Sequence, residues 1–216
     1  SSPSRGLGDV YKRQNTNTYS ACYWERTSSL GQFETGNSGY AFILRPQPYD
    51  WYYDRAHVTS SAIDLSGYKD LEFSIRVRYN TYNTNDPCAI FYSTDSSTWT
   101  NLGSYPSFYN SSSVSSINTY YAEITSNHPA WANDNSSWQT YTTNLPSSIE
   151  DVDNLYLRVY FASDAYYSDQ GVAFDDVKIT GNYIIPPATN FSYVVTGLDS
   201  NNCANTDTVN ITVNPT

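Results

Sequence analysis

Between positions 71 and 79 the chain reads LEFSIRVRY: Leu71, Phe73, Ile75, Val77 and Tyr79 fall at every second position, with Glu72, Ser74, Arg76 and Arg78 between them. Successive side chains of an extended strand point to opposite faces, so this alternation predicts a half-buried β-strand and not a helix. LYLRVYF repeats the pattern, with Leu155, Leu157, Val159 and Phe161 expected inward and Tyr156, Arg158 and Tyr160 outward. Shorter runs at 39–44 (GYAFIL), 56–60 (AHVTS), 88–93 (CAIFYS) and 172–180 (VAFDDVKIT) supply further strands. STDSSTW, at 93–99, has the Asp and Ser of a hairpin turn. No stretch sustains a helical period, and many short strands with polar connections predict an all-β sandwich.

The two ends read differently. Residues 1–14, SSPSRGLGDVYKRQ, carry Arg5, Lys12 and Arg13 without hydrophobic periodicity. They resemble a non-native end that recurs on translated environmental fragments, and are expected to be a processing segment outside the fold. The sandwich is expected over 15–182. Paired prolines in YIIPPATN then predict a linker over 183–189. Residues 190–216 hold one hairpin, FSYVVTG and DTVNITVNP around the turn LDSNNCANT. A lone hairpin is marginal in water, so it is expected to be two strands of a larger module.

Composition adds a compartment. Charged residues make up only 15% of the chain while tyrosine occurs 22 times, a mix that reads as an extracellular β-protein. A net charge of −10 argues against nucleic acid and anionic membranes as partners. No apolar run approaches a membrane span, so no membrane insertion is expected. There is no signal peptide of the usual kind and no methionine, so the chain is expected to be a piece of something longer. Cys22, Cys88 and Cys203 fit no metal spacing; Cys22 and Cys88 are a candidate disulfide pair.

One strand poses a question. In GVAFDDVKITG (171–181), Asp175 and Asp176 interrupt an apolar run, and a buried carboxylate costs several kcal/mol unless its charge is answered. Apolar residues fall on both strand faces near Phe174, which fits a β-bulge with the acids at the sheet edge. The acidity of the chain leaves Ca²⁺ as the other answer.

Five stretches in order, AIDLSGYKDLEFSIRVR, FYSTDSSTWTNL, SSWQTYTTNLP, LYLRVYF and GVAFDDVKITG, resemble the MAM-like jelly rolls of secreted bacterial proteins, including the C-terminal parts of immune-inhibitor-type metalloproteases. The resemblance covers roughly residues 20–181 and implies a jelly-roll β-sandwich of two antiparallel sheets. The tail, FSYVVTGLDSNNCANTDTVNITVNP, resembles the end of an Ig-like repeat from large bacterial adhesins, whose cysteine commonly pairs with one on an earlier strand; this would account for an odd Cys203. The MAM-like resemblance further implies a structural cation held by the Asp pair of the last strand and an N-terminal glutamate. Asp175 matches best, with Asp176 beside it; CYWE nominates Glu25 and QFETG offers Glu34. Ca²⁺, which takes six to eight oxygens, would brace the fold and do no chemistry.

Catalytic constellations are missing from the sequence. His57 and His128 lack HExxH spacing, no GxSxG elbow or phosphate loop is present, and the acidic EDVD (150–153) reads as a solvated turn. Binding has positive signals. RPQPYDWYYDR (45–55) places Tyr49, Trp51, Tyr52 and Tyr53 in one connection, and SDAYYSDQG adds Tyr166 and Tyr167. Loop aromatics present flat faces for sugar rings or partner side chains. Trp131, in HPAWANDNSSW, is expected to join them, while Trp99 and Trp138 are expected in the core. The expectation is a non-catalytic extracellular or cell-surface binding and adhesion module of a larger bacterial protein. Its partners would be polysaccharide or glycoprotein glycans and other modules of the same chain. A structural spacer, a self-assembling surface module and an accessory domain of a secreted hydrolase or protease are the alternatives.

Overall fold

Alternation in the sequence becomes pairing in space. The computed structural model describes residues 5–6, 11–15, 23–29, 40–45, 55–81, 83–112, 114, 128–135, 137–163, 170–184, 191–198, 200–201 and 204–212. The strands are β1 (Arg5–Gly6), β2 (Tyr11–Asn15), β3 (Tyr23–Thr27), β4 (Ala41–Arg45), β5 (Arg55–Ser60), β6 (Tyr68–Asn80) and β7 (Cys88–Ser93). They continue with β8 (Thr100–Asn101), β9 (Gln139–Asn144), β10 (Tyr156–Ala162), β11 (Gly171–Tyr183), β12 (Phe191–Leu198) and β13 (Ala204–Ile211). The only helical turns among the described residues are two short 3₁₀ pieces, Asn83–Asn85 and Ser147–Ile149. The chain is an all-β sandwich followed by a hairpin, and it divides into two compact units, Ser1–Asn182 and Tyr183–Thr216.

In the first unit, one sheet runs β3-β4-β11-β6-β9, with β1 also paired to β11; the other runs β2-β5-β10-β7-β8. Their inner faces share one core. Leu71, Phe73, Ile75, Val77 and Tyr79 of β6 are all buried, as the alternation predicts, and meet Val58, Ile90 and Leu157 of the facing sheet. The gap left between the layers, lined by Phe73, Ile90, Leu157 and Phe174 among others, is about 20 Å³. Packing this tight gives each methylene a partner and fixes the separation of the sheets.

The central strand β10 departs from its pattern. Arg158 and Tyr160, expected outward into solvent, are 9% and 2% exposed. The alternation itself holds: Val159 pairs with Val58 and Ile90 on the inner face, while Tyr160 lies opposite His57 and Ala89 on the outer one. That outer face is covered as well. Tyr160 stacks on His57 (6.1 Å, 13°) and meets Phe91 edge-on (6.1 Å, 77°). A strand flanked on both sides has more neighbours to cover its second face than an edge strand has.

Two described pieces of residues 1–14 pair with the sheets. Arg5–Gly6 pairs with Lys178–Ile179, and Tyr11–Asn15 pairs with Ala56–Ser60 as an edge strand of the second sheet. An edge offers unpaired backbone N–H and C=O groups to any extended segment, so side-chain periodicity is no guide to what pairs there. In the second unit β12 and β13 pair in register from Phe191↔Ile211 to Leu198↔Ala204, and Ser192–Leu198 and Ala204–Asn210 are exposed throughout.

Candidate functional site

The turn that STDSSTW predicts builds one wall of the site. Oδ1 of Asp95 accepts the backbone N–H groups of Ser97 (2.8 Å) and Thr98 (2.7 Å) and the hydroxyl of Ser93 (2.8 Å). These bonds favour the ionised form and hold the Asp95 carboxyl well below the usual carboxylate range. The turn delivers Ser96, at φ 59°, and Trp99 beside the outer face of β10.

Arg158 projects from β10 onto the Trp99 ring, with Cζ 3.7 Å from the ring centroid. Its Nε donates to Thr59 Oγ1 on β5 at 3.0 Å. The register places Arg158 directly opposite Thr59 on one side and Phe91 on the other. Ser60, at the end of β5, accepts the Leu157 N–H through its hydroxyl at 3.0 Å, tying the strand end to β10. Around these groups lies a cavity of about 390 Å³ lined by Thr59, Ser60, Ser61, Ala62, Ser96, Trp99, Tyr156 and Arg158. The volume is that of a small-ligand pocket. Hydroxyls, two aromatic rings and a guanidinium converge there, and no carboxylate, histidine or cysteine is among the described lining residues. The arrangement can grip a polar ring; it holds no paired acid and base.

Trp99 packs half-buried against the main core and also lines the pocket, a second position that sequence reasoning missed. The signal was present: an Asp-Ser turn ending in Trp, and an arginine at an outward position of LYLRVYF. The tryptophan nominated for binding goes the other way. Trp131 is 0% exposed, because its segment adds to β7 through Cys88 N–H to Trp131 C=O and the reverse bond, both 2.9 Å. Its Nε1 donates to Phe108 C=O at 2.9 Å, and its ring lies 4.9–5.1 Å from those of Tyr109, Tyr141 and Phe108. The amide of Asn110 clamps the adjoining Ala132 through both N–H and C=O. An indole satisfied and enclosed in this way is packing. Cys88 is a free, fully buried thiol, which burial pushes up beyond the range of a reactive cysteine. Tyr49, Trp51, Tyr52, Tyr53, Tyr166, Tyr167, Glu34, Cys22 and Cys203 lie outside the described residues.

The Asp pair has a backbone answer. Phe174 is buried in the core and Val177 and Ile179 pack against it again, so the strand changes parity between them, and Asp176 sits there at φ 49°. That is a β-bulge with a residue in the left-handed region, where Asp is among the better-tolerated side chains. Asp176 is exposed rather than buried, and its carboxylate lies 3.8 Å from Arg76 Nη1. Arg76 in turn lies over Trp138 (5.3 Å), which is half-buried against Ala41, Ile43 and Ala173 rather than in the main core.

Glu25 stands on β3, two strands from the bulge. It pairs with Ile43, which pairs with Ala173, so strand β4 runs between Glu25 and β11. No three Asp, Glu, His or Cys side chains converge as a metal site among the described residues.

No protein-family model matches the chain, and no curated protein matches it. Among solved structures it resembles a cleaved adhesin domain of Lys-gingipain from Porphyromonas gingivalis, at 13% identity over 80% of this chain and 90% of that one, with a TM-score of 0.44. It also resembles the family 11 carbohydrate-binding module of a cellulosomal cellulase of Clostridium thermocellum, at 12% identity over 84% and 96%, TM-score 0.45. A third resemblance is to the Endo-D glycoside hydrolase domain from Streptococcus pneumoniae, at 12% identity over 87% of this chain and 24% of that one, TM-score 0.45. At this depth of overlap nothing about ligand or activity carries over from them.

Proposed function

We propose that this chain is a non-catalytic extracellular binding module that recognises carbohydrate in the pocket around Trp99. The observation that carries the reading is the convergence of Trp99, Tyr156 and the hydroxyls of Thr59, Ser61 and Ser96 around an anchored arginine. A sugar ring presents an apolar C–H face and a rim of hydroxyls. An indole or phenol ring complements the first and short hydroxyl side chains the second. An acid-free lining suits holding a glycan and not cleaving it, since glycoside hydrolysis uses a pair of carboxylates. The aromatic connection at 45–55 (Tyr49, Trp51, Tyr52, Tyr53) belongs to the proposal as a second contact surface.

The test is a glycan array probed with the chain in Ca²⁺ and again in chelator, beside Trp99→Ala and a Trp51→Ala/Tyr52→Ala double variant. A hit lost in Trp99→Ala supports the pocket. A hit lost only in the double variant moves the site to the 45–55 connection. A blank array with folded protein overturns carbohydrate recognition and favours a spacer. Loss of the hit in chelator alone brings a bound ion into the site.

A further inference from the structure

Resting on that reading, we infer that Ser96 is a specificity-determining residue, and that its hydroxyl meets a hydroxyl of the sugar ring held at Trp99. The backbone singles this residue out. Among the described residues, five that are not glycine have positive φ: Asp70, Ser96, Asn133, Asp151 and Asp176. Four of them are Asp or Asn, the side chains that tolerate the left-handed region best. Ser96, at φ 59°, is neither, and it lines the pocket.

The turn itself asks for no serine at this position. Asp95 sets its geometry: Oδ1 accepts the N–H groups of Ser97 (2.8 Å) and Thr98 (2.7 Å) beyond Ser96, and the Ser93 hydroxyl (2.8 Å) before it. These bonds hold position 96 left-handed without using its side chain, and glycine would fill it at no steric cost. A residue kept in a sparsely populated backbone region at a site points from conformation to function. Ser96 is exposed, on the wall of the pocket that also carries Trp99. Its hydroxyl both donates and accepts, as the hydroxyls on the rim of a sugar ring do. Glycine there would remove that group, and aspartate would replace it with a charge.

The probe is an array of neutral and acidic oligosaccharides read with the full chain, after which its strongest glycan is titrated calorimetrically. Ser96→Ala removes only Oγ and is expected to weaken that glycan about fivefold, the worth of one hydrogen bond. Ser96→Gly is expected to weaken it equally while raising the melting temperature by about 2 °C, because the backbone is relieved. A merely structural serine would move affinity and stability in the same direction. Direct contact has its own signature: one monodeoxy form of the glycan is expected to lose about fivefold against the native chain and nothing further against Ser96→Ala.

Native affinity in Ser96→Ala would overturn the inference and leave carbohydrate recognition standing, provided that Trp99→Ala still loses the hit. A Ser96→Gly chain that melts lower as it binds more weakly would overturn it too, and so would a deoxy series in which every form loses as much again in Ser96→Ala. A blank array, or a hit that survives Trp99→Ala, would overturn the pocket reading and this inference together.

Discussion

Each sheet of the sandwich carries a tryptophan beneath an arginine on its outer face, and the two pairs have opposite surroundings. On the first sheet Arg76 lies 5.3 Å over Trp138 and its charge is answered by Asp176 at the β11 bulge. On the second, Arg158 lies 3.7 Å over Trp99, clamped by Thr59, beside a cavity of about 390 Å³. The local motif is the same. What separates a surface brace from a candidate binding site is the space beside the pair: a pocket of about 390 Å³ adjoins Arg158 and Trp99, and a strand bulge adjoins Arg76.

The sharpest way to frame the comparison is a third tryptophan that belongs to neither face. Trp131→Ala would empty the centre formed with Phe108, Tyr109 and Tyr141, and large buried aromatics cost about 3–5 kcal/mol when truncated. Chemical denaturation should show this loss. Trp99→Ala and Trp138→Ala should each cost only about 1 kcal/mol, since half-exposed cation–π pairs are worth no more. Of the three, only Trp99→Ala should abolish glycan binding in protein that is demonstrably folded. A Trp138→Ala variant that lost binding as completely would erase the distinction between the faces.

Acid should separate the two faces next. His57 lies on the same outer face as Arg158, and burial, with that positive charge beside it, pushes the imidazole down to about 4. The neutral form is therefore the one the fold favours. Its contribution is fully present above the unfolded value of 6.5 and is lost as pH falls toward 4, up to about 3 kcal/mol. Stability measured by denaturant between pH 7 and pH 4 should fall by this amount more in the native chain than in His57→Phe, which keeps the stack on Tyr160. Parallel profiles for the two would mean that the second sheet's outer face opens freely to water.

The core was legible because its code is local. LEFSIRVRY and CAIFYS name their own buried faces, and the STDSSTW turn follows from an Asp side chain that can reach two N–H groups just ahead of it. Trp131 is sealed where exposure was expected, and Trp99 lines a pocket besides packing on the core, for a reason that alternation does not encode. Whether an aromatic in a connection is sealed depends on partners far along the chain, here Cys88 and Phe108 for Trp131, and Arg158 for Trp99. The hairpin makes the same point from the other side. Tyr193, Val195 and Val209 share the two-residue spacing of β6's apolar positions, yet all are about half exposed or more, because spacing specifies a face and not what covers it.

The smallest effect tests the bulge itself. Asp176 combines a left-handed backbone, which costs most residues about 1–2 kcal/mol, with an exposed ion pair worth at most about 1 kcal/mol. Three substitutions separate these. Asp176→Ala loses the ion pair and suits the backbone poorly, so it should destabilise by about 1 kcal/mol. Asp176→Asn keeps a side chain that tolerates this region and should lie between alanine and the native residue. Asp176→Gly loses the same ion pair but relieves the backbone, and should fall within about 0.5 kcal/mol of the native chain. The order glycine, asparagine, alanine in thermal stability would make the second aspartate of GVAFDDVKITG a conformational choice that also happens to neutralise Arg76. If alanine equalled glycine while both fell well below asparagine, the side chain's polar contacts and not its backbone would be what the fold requires there.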